Sequence, residues 1–254
     1  MLKEVSLSEK ISNKDFKVKR KKLQSEMFNL QKHIWGENIP LVIVLEGFET
    51  AGKGTAISSL VESLDPRHYR VIPIFKATRE EKQIPFLYRF WLDTPSRGEI
   101  YIFDHSWYHQ LLKGKISNKK RKQLIREINE FERTLSDNKT NILKFWFHLS
   151  KTEQKKRLTK MAKSKQDKWR IKKEDWKENK NYNELLTSAE DLIAQTNTTW
   201  APWEIIPCEN KNFGQVKVLE SILSFTENVL GEEFRKKALE FIEESMIYEQ
   251  GKAR

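Results

Sequence analysis

One segment near the start of the chain constrains the fold more than any other, because it joins a buried strand to a glycine-rich loop and a helix. Leu41–Leu45 is a continuous apolar run rich in β-branched residues, which is typical of a strand buried on both faces of a parallel sheet. The pattern Gly-x-x-x-x-Gly-Lys follows at Gly47–Lys53, and a helical pattern continues over Ala56–Leu64. This order of strand, glycine loop and helix predicts a phosphate-binding loop.

The predicted loop has a physical reason for each residue type. Glycines allow successive backbone N–H groups to curve around phosphate oxygens, and the start of the helix adds a partial positive charge. Lys53 supplies a cation, and we expect it to be accessible to solvent. The predicted phosphate-binding and nucleotide-binding residues are Gly47, Gly52, Lys53, Gly54 and Thr55.

A metal site is predicted beside this loop. Gly54 stands where a Ser or Thr usually offers a hydroxyl to Mg²⁺, and Thr55 comes one residue later. Glu49 is then the first candidate ligand, since Mg²⁺ binds carboxylate oxygens. Asp104 follows the apolar run Ile100–Phe103, and the carboxyl ends of parallel strands meet at one edge of a sheet. We therefore predict that Glu49 and Asp104 bind Mg²⁺.

Strands and helices alternate along the rest of the chain. Similar apolar runs predict strands at 70–75, 99–103, 141–147 and 203–206, and helical patterns cover 14–34, 53–64, 80–92, 119–136 and 183–196. This alternation predicts an α/β protein with a doubly wound, parallel, five-stranded sheet and helices on both faces. We expect an N-terminal helical extension over 1–39, a core over 40–230 with a helical lid at about 151–185, and a C-terminal helix within 231–254.

The positive charge of the chain is concentrated in two segments. The net charge is +11, of which residues 1–35 carry +5 and residues 151–180 carry +8. A solvated helical face can explain the first segment, whereas Trp169 and Trp176 among the bases of the second favour contact with a polyanion. Composition does not separate nucleic acid, nucleotide and inorganic phosphate as that polyanion. The single cysteine, Cys208, excludes an internal disulfide, and the absence of a long apolar run predicts a soluble, cytoplasmic protein.

Eight blocks of sequence, in order, resemble the polyphosphate kinase 2 family, and most closely its polyphosphate:AMP phosphotransferase branch. They are Glu46–Gly54, Leu64–Arg67, Val71–Pro73, Tyr88–Trp91, Asp104–Tyr108, Ile128–Glu132, Lys144–Ser150 and Ala201–Trp203. The resemblance implies a P-loop kinase fold with a helical lid, dependence on Mg²⁺, and phosphoryl transfer between inorganic polyphosphate and a purine nucleotide. It also implies a homo-oligomer, with no membrane partner and no specific nucleic acid partner.

The resemblance also assigns roles to individual residues. Lys53, Asp104, Glu49 and Arg157 take the catalytic positions, with Glu49 and Asp104 as metal ligands. The residues implied to line the path of polyphosphate are Arg89, His105, Arg133, Lys156, Arg157, Lys168 and Arg170.

This sequence departs from the family pattern at three places. Glu49 stands where the family has Asp, and His105 stands where it usually has Arg. The lid pattern Pro-x-Lys-x-Trp-Lys is replaced by Lys165–Arg170, which has no proline. These changes bear on rate and on the choice of phosphoryl donor, because an imidazole neutral near pH 7 gives a phosphate less charge than a guanidinium.

Two other functions are open to a chain with these features. The first is an ATP-dependent nucleoside or nucleotide kinase, which would use the same loop and metal site. The second is a nucleic-acid-binding protein with a degenerate P-loop, suggested by the net charge of +11 and by the two site departures. A glycine cradle followed by an acid at a strand end favours phosphoryl transfer, because nucleic-acid binding requires basic surface only.

Overall fold

The computed structural model describes residues 2–113 and 116–230. Its strands form one sheet: β1 is Leu41–Gly47, β2 is Tyr69–Pro73, β3 is Ile100–Asp104, β4 is Asn141–His148 and β5 is Trp203–Pro207. Their order is β2-β3-β1-β4-β5, and every neighbouring pair is parallel. The predicted five-stranded parallel sheet is confirmed. The predicted helix within 231–254 lies outside the described residues.

Nine α-helices connect or flank the strands within the described part of the chain. They are α1 Asn13–Gly36, α2 Lys53–Val61, α3 Tyr88–Trp91, α4 His109–Lys113, α5 Asn118–Asp137, α6 Lys151–Lys163, α7 Lys173–Lys180, α8 Tyr182–Thr196 and α9 Lys211–Leu230. Ser12, Ser117 and Ser150 begin α1, α5 and α6, and each hydroxyl accepts a hydrogen bond from a backbone N–H of the first turn. Such a cap stabilises a helix by about 1 kcal/mol. Over the described ranges, no helix combines the length and the apolar character needed to cross a membrane.

The sheet is covered on both faces because side chains of β1 alternate between two apolar clusters. Leu41, Ile43 and Leu45 pack in one cluster with residues of α1, α2 and α9. Val42 and Val44 pack in the other with residues of α5. A strand buried on both faces needs apolar residues at every position, which explains the continuous apolar run of β1.

One predicted helix is interrupted. The segment 80–92 contains a 3₁₀ turn at Glu81–Gln83 and the single-turn helix α3, with an extended Ile84 between them. Pro85 explains the break, because proline has no N–H to donate and forces the preceding residue out of the helical region. The irregular segment between β2 and α3 forms one wall of a cavity described below.

Candidate active site

The loop after β1 has the backbone conformation that its glycines allow. Gly47 has φ +135°, and a Cβ at this position would lie 2.3 Å from the carbonyl oxygen of Phe147 in β4. Gly52 has φ +113° and immediately precedes α2. Any side chain at position 47 would therefore push β1 away from β4, and both positions favour glycine. Gly54 and Thr55 lie exposed on the first turn of α2.

Lys53 lies inside this loop, and the expectation that it would be accessible is wrong. Its side chain is only 6% exposed, and its Nζ donates hydrogen bonds to the carbonyl oxygens of Gly47 and Phe48 at 3.3 Å. The long side chain reaches back across the loop, where backbone carbonyls satisfy the ammonium. Nζ also lies 4.0 Å from a carboxylate oxygen of Glu49. The cation is therefore held at the centre of the loop.

An imidazole links the loop to the strand beneath it. His105 Nδ1 lies 3.1 Å from Glu46 Oε2, and His105 Nε2 lies 3.6 Å from Glu49 Oε1. Burial and the Lys53 ammonium lower the pKa of His105, but the carboxylates of Glu46 and Glu49 outweigh them, so its pKa lies above the ordinary value. His105 has φ +62°, an unusual value for a residue with a side chain. Its ring is thus held between the two acids.

Glu46 is a site residue that sequence analysis did not assign. Its side chain is 1% exposed, and its second carboxylate oxygen accepts a hydrogen bond of 2.9 Å from the Ser106 hydroxyl. Burial raises the pKa of Glu46, but the contact with His105 brings it below the ordinary value. An acid as the next-to-last residue of an otherwise apolar strand was the available signal for it.

The two predicted metal ligands lie at the same edge of the sheet. Asp104 is the last residue of β3 and pairs in register with Leu45 of β1, two residues before the loop begins. Its carboxylate makes no hydrogen bond or ion pair with the rest of the described chain, and its side chain is partly exposed. Glu49 lies in the adjacent loop, 25% exposed. Both therefore offer carboxylate oxygens of the kind that a hard divalent cation prefers.

Arg157 connects helix α6 to the loop and does not extend into solvent. Its guanidinium donates to Glu153 in its own helix, and four backbone carbonyls accept the remaining N–H groups. These carbonyls, at 2.6 to 3.2 Å, belong to Thr50, Ala51, Cys208 and Glu209. All five N–H groups are directed at protein oxygens in this arrangement, and the side chain is 6% exposed. The geometry makes Arg157 a clamp between α6, the loop and the segment after β5.

The other basic residues predicted in the lid segment are exposed. The Lys156 side chain is 77% exposed and pairs with Glu153, and that of Arg170 is 55% exposed near Asp167. Lys168 lies in the same 3₁₀ turn as Arg170. Lys156 also borders a groove of about 350 Å³, whose other lining residues are Glu153, Arg157, Lys160, Glu209, Asn210, Lys211 and Asn212. Burial, with Arg157 and Lys160 nearby, lowers the pKa of Lys211, as expected where cations are crowded.

A carboxylate from helix α7 lies against the loop, and sequence analysis did not identify it. Glu178 Oε1 accepts hydrogen bonds from the backbone N–H of Glu49 at 2.8 Å and from the Gln154 amide at 2.9 Å. Gln154 is buried in α6 and also donates to the carbonyl oxygen of Glu49. Helices α6 and α7 therefore both contact the loop backbone directly. Glu178 occurs in a segment rich in charges of both signs, which offers no pattern that would single it out.

A cavity of about 610 Å³ opens between the segment after β2 and the start of α4. Arg89 lies in its wall and donates a hydrogen bond of 3.1 Å to Glu81, which lines the same cavity. Ser106 and His109 also line it, so the cavity reaches the hydrogen-bond partner of Glu46. Apolar walls come from the segment after β2 and from α3; they include Ile74, Phe75, Ile84, Pro85, Phe86 and Phe90. The cavity is large enough for a small-molecule ligand.

Arg133 is the predicted site residue that lies apart from the others. Its guanidinium carbon lies 5.7 Å from the centre of the Trp200 ring, and its Nε lies 3.7 Å from Asp137 near the end of α5. Trp200 precedes β5, so this contact is at the amino edge of the parallel sheet. The loop, Asp104 and the cavity lie at the carboxyl edge. The structure therefore does not bring Arg133 together with the other predicted residues.

Known proteins are similar to this chain in both sequence and fold. Residues 10–233 match the family model of polyphosphate kinase 2. A polyphosphate:AMP phosphotransferase of Pseudomonas aeruginosa is 36% identical over 186 residues, which are 72% of this chain and 38% of that protein. One of Pseudomonas syringae is 34% identical over 200 residues, or 77% of this chain and 40% of that protein. The chain thus spans about two fifths of the length of these curated relatives.

A solved structure agrees with the family match. The crystal structure of polyphosphate kinase 2 from Arthrobacter aurescens TC1 is 26% identical in sequence, with a TM-score of 0.85. The similarity covers 88% of this chain and 84% of that chain. The family model alone matches well over half of the residues. Together with the loop, strand-end acid and sheet order described above, these matches show that the chain belongs to the polyphosphate kinase 2 family.

Proposed function

We propose that the protein transfers a phosphoryl group between inorganic polyphosphate and a nucleotide, converting AMP to ADP, ADP to ATP, or both. The observation that carries the proposal is a chain of side-chain contacts that links the loop to the cavity through one buried acid, Glu46. Glu46 bonds on one side to His105, which contacts Glu49 of the loop, and on the other to Ser106, which lines the cavity. A phosphate held by the loop and a nucleotide in the cavity would therefore be neighbours.

The residues at the carboxyl edge suit Mg²⁺ as the divalent metal. Glu49 and Asp104 would hold it, because both offer carboxylate oxygens beside the loop. When bound, Mg²⁺ would neutralise charge on the phosphate oxygens. Glu46 is less suited to Mg²⁺, since its carboxylate is 1% exposed and lies against the imidazole of His105, whereas Mg²⁺ prefers oxygen ligands and retains water.

The remaining residues of the chain supply positioning and charge. Lys53 and the N–H groups at the start of α2 would bind phosphate oxygens, and Arg89 would contact an anionic group in the cavity. The exposed cations Lys156, Lys168 and Arg170 would attract the polyanion. Phosphoryl transfer needs mainly orientation and charge stabilisation, so this proposal requires no protein nucleophile. Cytoplasmic location and assembly into a homo-oligomer stay predictions from the sequence.

A donor-exchange assay tests the proposal. Purified protein is incubated with Mg²⁺ and with either long-chain polyphosphate or ATP as donor, and AMP and ADP are offered separately as acceptors. We expect product with polyphosphate, and we expect Lys53→Ala to abolish it while Lys17→Ala, on the exposed face of α1, retains it. Activity with ATP alone would favour an ATP-dependent kinase. Salt-sensitive DNA binding without any transfer would favour the nucleic-acid-binding alternative.

A further inference from the structure

Three side chains at the boundary between the loop and the cavity have the spacing of metal ligands. Glu46, His105 and His109 each bring one ligand atom to within 4.8 Å of the other two. The atoms Glu46 Oε2 and His105 Nδ1 are 3.1 Å apart, and the ring centres of the two histidines are 4.3 Å apart. Ligand atoms of a tetrahedral metal with bonds of about 2.0 Å lie about 3.3 Å from one another. The three residues therefore need only small side-chain movements to surround one ion.

The chemistry of this set differs from that of the carboxylates proposed for Mg²⁺. Two imidazoles and one carboxylate suit Zn²⁺ and similar transition metals, whereas Mg²⁺ prefers oxygen ligands and retains water. None of the three residues is Asp104 or Glu49. His105 is also a position where this sequence departs from the family, which usually has an arginine there. A guanidinium does not bind metal ions, so that departure supplies one of the two imidazoles.

Each of the three residues also has its own attachment to the fold, besides the contact between Glu46 and His105. Glu46 is fixed in β1, and its other carboxylate oxygen accepts the Ser106 hydroxyl. His105 is fixed by its unusual φ of +62° and by a backbone hydrogen bond of 3.1 Å to Leu45 in β1. His109 begins α4 and lines the cavity, which gives an ion a path to the cluster. A hydrogen bond to the carboxylate that binds the ion is typical of protein metal sites, because it orients the ligand.

We propose that Glu46, His105 and His109 form a binding site for one divalent transition-metal ion of the Zn²⁺ type, separate from the Mg²⁺ carboxylates. Three protein ligands leave a fourth position for water or another small ligand. The ion would replace the hydrogen bond between Glu46 and His105, and it would place positive charge between the loop and the cavity. The site does not depend on the proposed phosphoryl transfer.

Direct metal binding tests this site. Protein freed of transition metals is titrated at neutral pH, in buffer with excess Mg²⁺, with Zn²⁺ by calorimetry and with Co²⁺ by visible absorption. Co²⁺ in a low-symmetry site gives intense bands. We expect one ion per chain, and we expect His105→Asn and His109→Asn each to weaken binding by about tenfold or more. His68→Asn is the matched control, because its ring packs on Trp35 away from the cluster. Asp104→Asn should also leave Zn²⁺ affinity unchanged.

The outcomes separate this site from others. Absence of binding, or Zn²⁺ affinity unchanged in either His105→Asn or His109→Asn, overturns the proposal. Loss of the ion in Asp104→Asn would place it at the Mg²⁺ carboxylates and would also overturn it. If His105→Asn melts at a much lower temperature than the wild type, His109→Asn decides the question alone, since His109 lies in the cavity wall. Donor exchange is measured separately, so failure of the proposed function leaves this test intact.

Discussion

Arg157 provides the sharpest test of whether a basic residue of the predicted lid binds substrate or stabilises the fold. We expect Arg157→Lys to lower the free energy of unfolding substantially, although it retains the positive charge. A lysine has one ammonium and cannot reach both pairs of backbone carbonyls that the guanidinium joins, in the loop and after β5. One buried and one partly buried carbonyl would then lose their partners.

The expected size follows from those contacts. A buried acceptor left without a hydrogen bond costs about 1–3 kcal/mol, so the two acceptors cost at most about 2–6 kcal/mol. Water entering from the adjacent groove reduces the upper value, and we expect a loss of about 2–4 kcal/mol. In a protein of this size, that loss lowers the melting temperature by roughly 5–15 °C.

The assay is urea unfolding followed by circular dichroism, with Lys156→Ala as the matched control. Lys156 is the preceding residue, carries the same charge, and is 77% exposed with Glu153 as its ion-pair partner. Its removal should change the free energy of unfolding by no more than about 0.5 kcal/mol. If Arg157→Lys is as stable as the control, its five contacts do not clamp the loop. A direct role in polyphosphate binding would then regain support.

Three further results are expected. Asp104→Asn should lower the rate of phosphoryl transfer by roughly 100-fold, with partial recovery at higher Mg²⁺, because it replaces a proposed metal carboxylate by a neutral amide. Replacing Lys156, Lys168 and Arg170 by Ala should raise the KM for long polyphosphate by about tenfold, more than the KM for nucleotide, and flatten its salt dependence. Burial lowers the pKa of His148 to about 4 from its ordinary 6.5, so the unfolded chain takes up a proton that the folded protein does not as pH falls through this range. The contribution of the neutral His148 to the free energy of unfolding is thus fully present above pH 6.5. Between pH 7 and pH 5 the wild type should lose about 2 kcal/mol, and His148→Gln should not show this loss.

Each of these results has a matched control. Asp137→Asn, at the amino edge of the sheet, should keep full activity, and equal rates for it and Asp104→Asn would contradict the metal assignment. Replacing Lys14, Lys17 and Lys21 on α1 by Ala removes the same charge elsewhere. If both triple variants raise the KM for long polyphosphate equally, the effect depends on net charge and not on the position of Lys156, Lys168 and Arg170. For His148, the free energy of unfolding is compared between wild type and His148→Gln from pH 7 to pH 5. The same loss in both proteins would refute the buried, neutral imidazole.

The sheet and the loop could be predicted from sequence because their physical requirements are local. A strand covered on both faces must be apolar at every position, and the loop needs glycine where φ is positive or the backbones touch, as at Gly47 and Gly52. The helix predicted at 80–92 failed at Pro85, where local chemistry outweighed the helical pattern. Periodicity does not show such a break, although the proline itself does.

The contacts between distant segments could not be read in this way. Arg157 and Arg133 are both basic residues on helices, yet one is buried against the loop and the other lies at the opposite edge of the sheet. Their different environments result from the way α5 and α6 pack in the assembled fold. Glu178 accepts a hydrogen bond from the backbone N–H of Glu49, which is 129 positions away in the sequence. No sequence spacing indicates such a contact. Side chains that join elements across such distances depend on the assembled fold.

If phosphate binds the loop as proposed, the contact between Glu178 and the backbone N–H of Glu49 would make that binding an exchange of one acceptor for another. A carboxylate oxygen and a phosphate oxygen are acceptors for the same N–H, which cannot make a full-strength bond to both. A phosphate that binds this donor would have to displace Glu178, and its measured affinity would be the difference between the two interactions. When the phosphate leaves, the carboxylate could return, so the N–H would keep a hydrogen-bond partner in both states. Glu178 of helix α7 would thus compete with phosphate for this N–H.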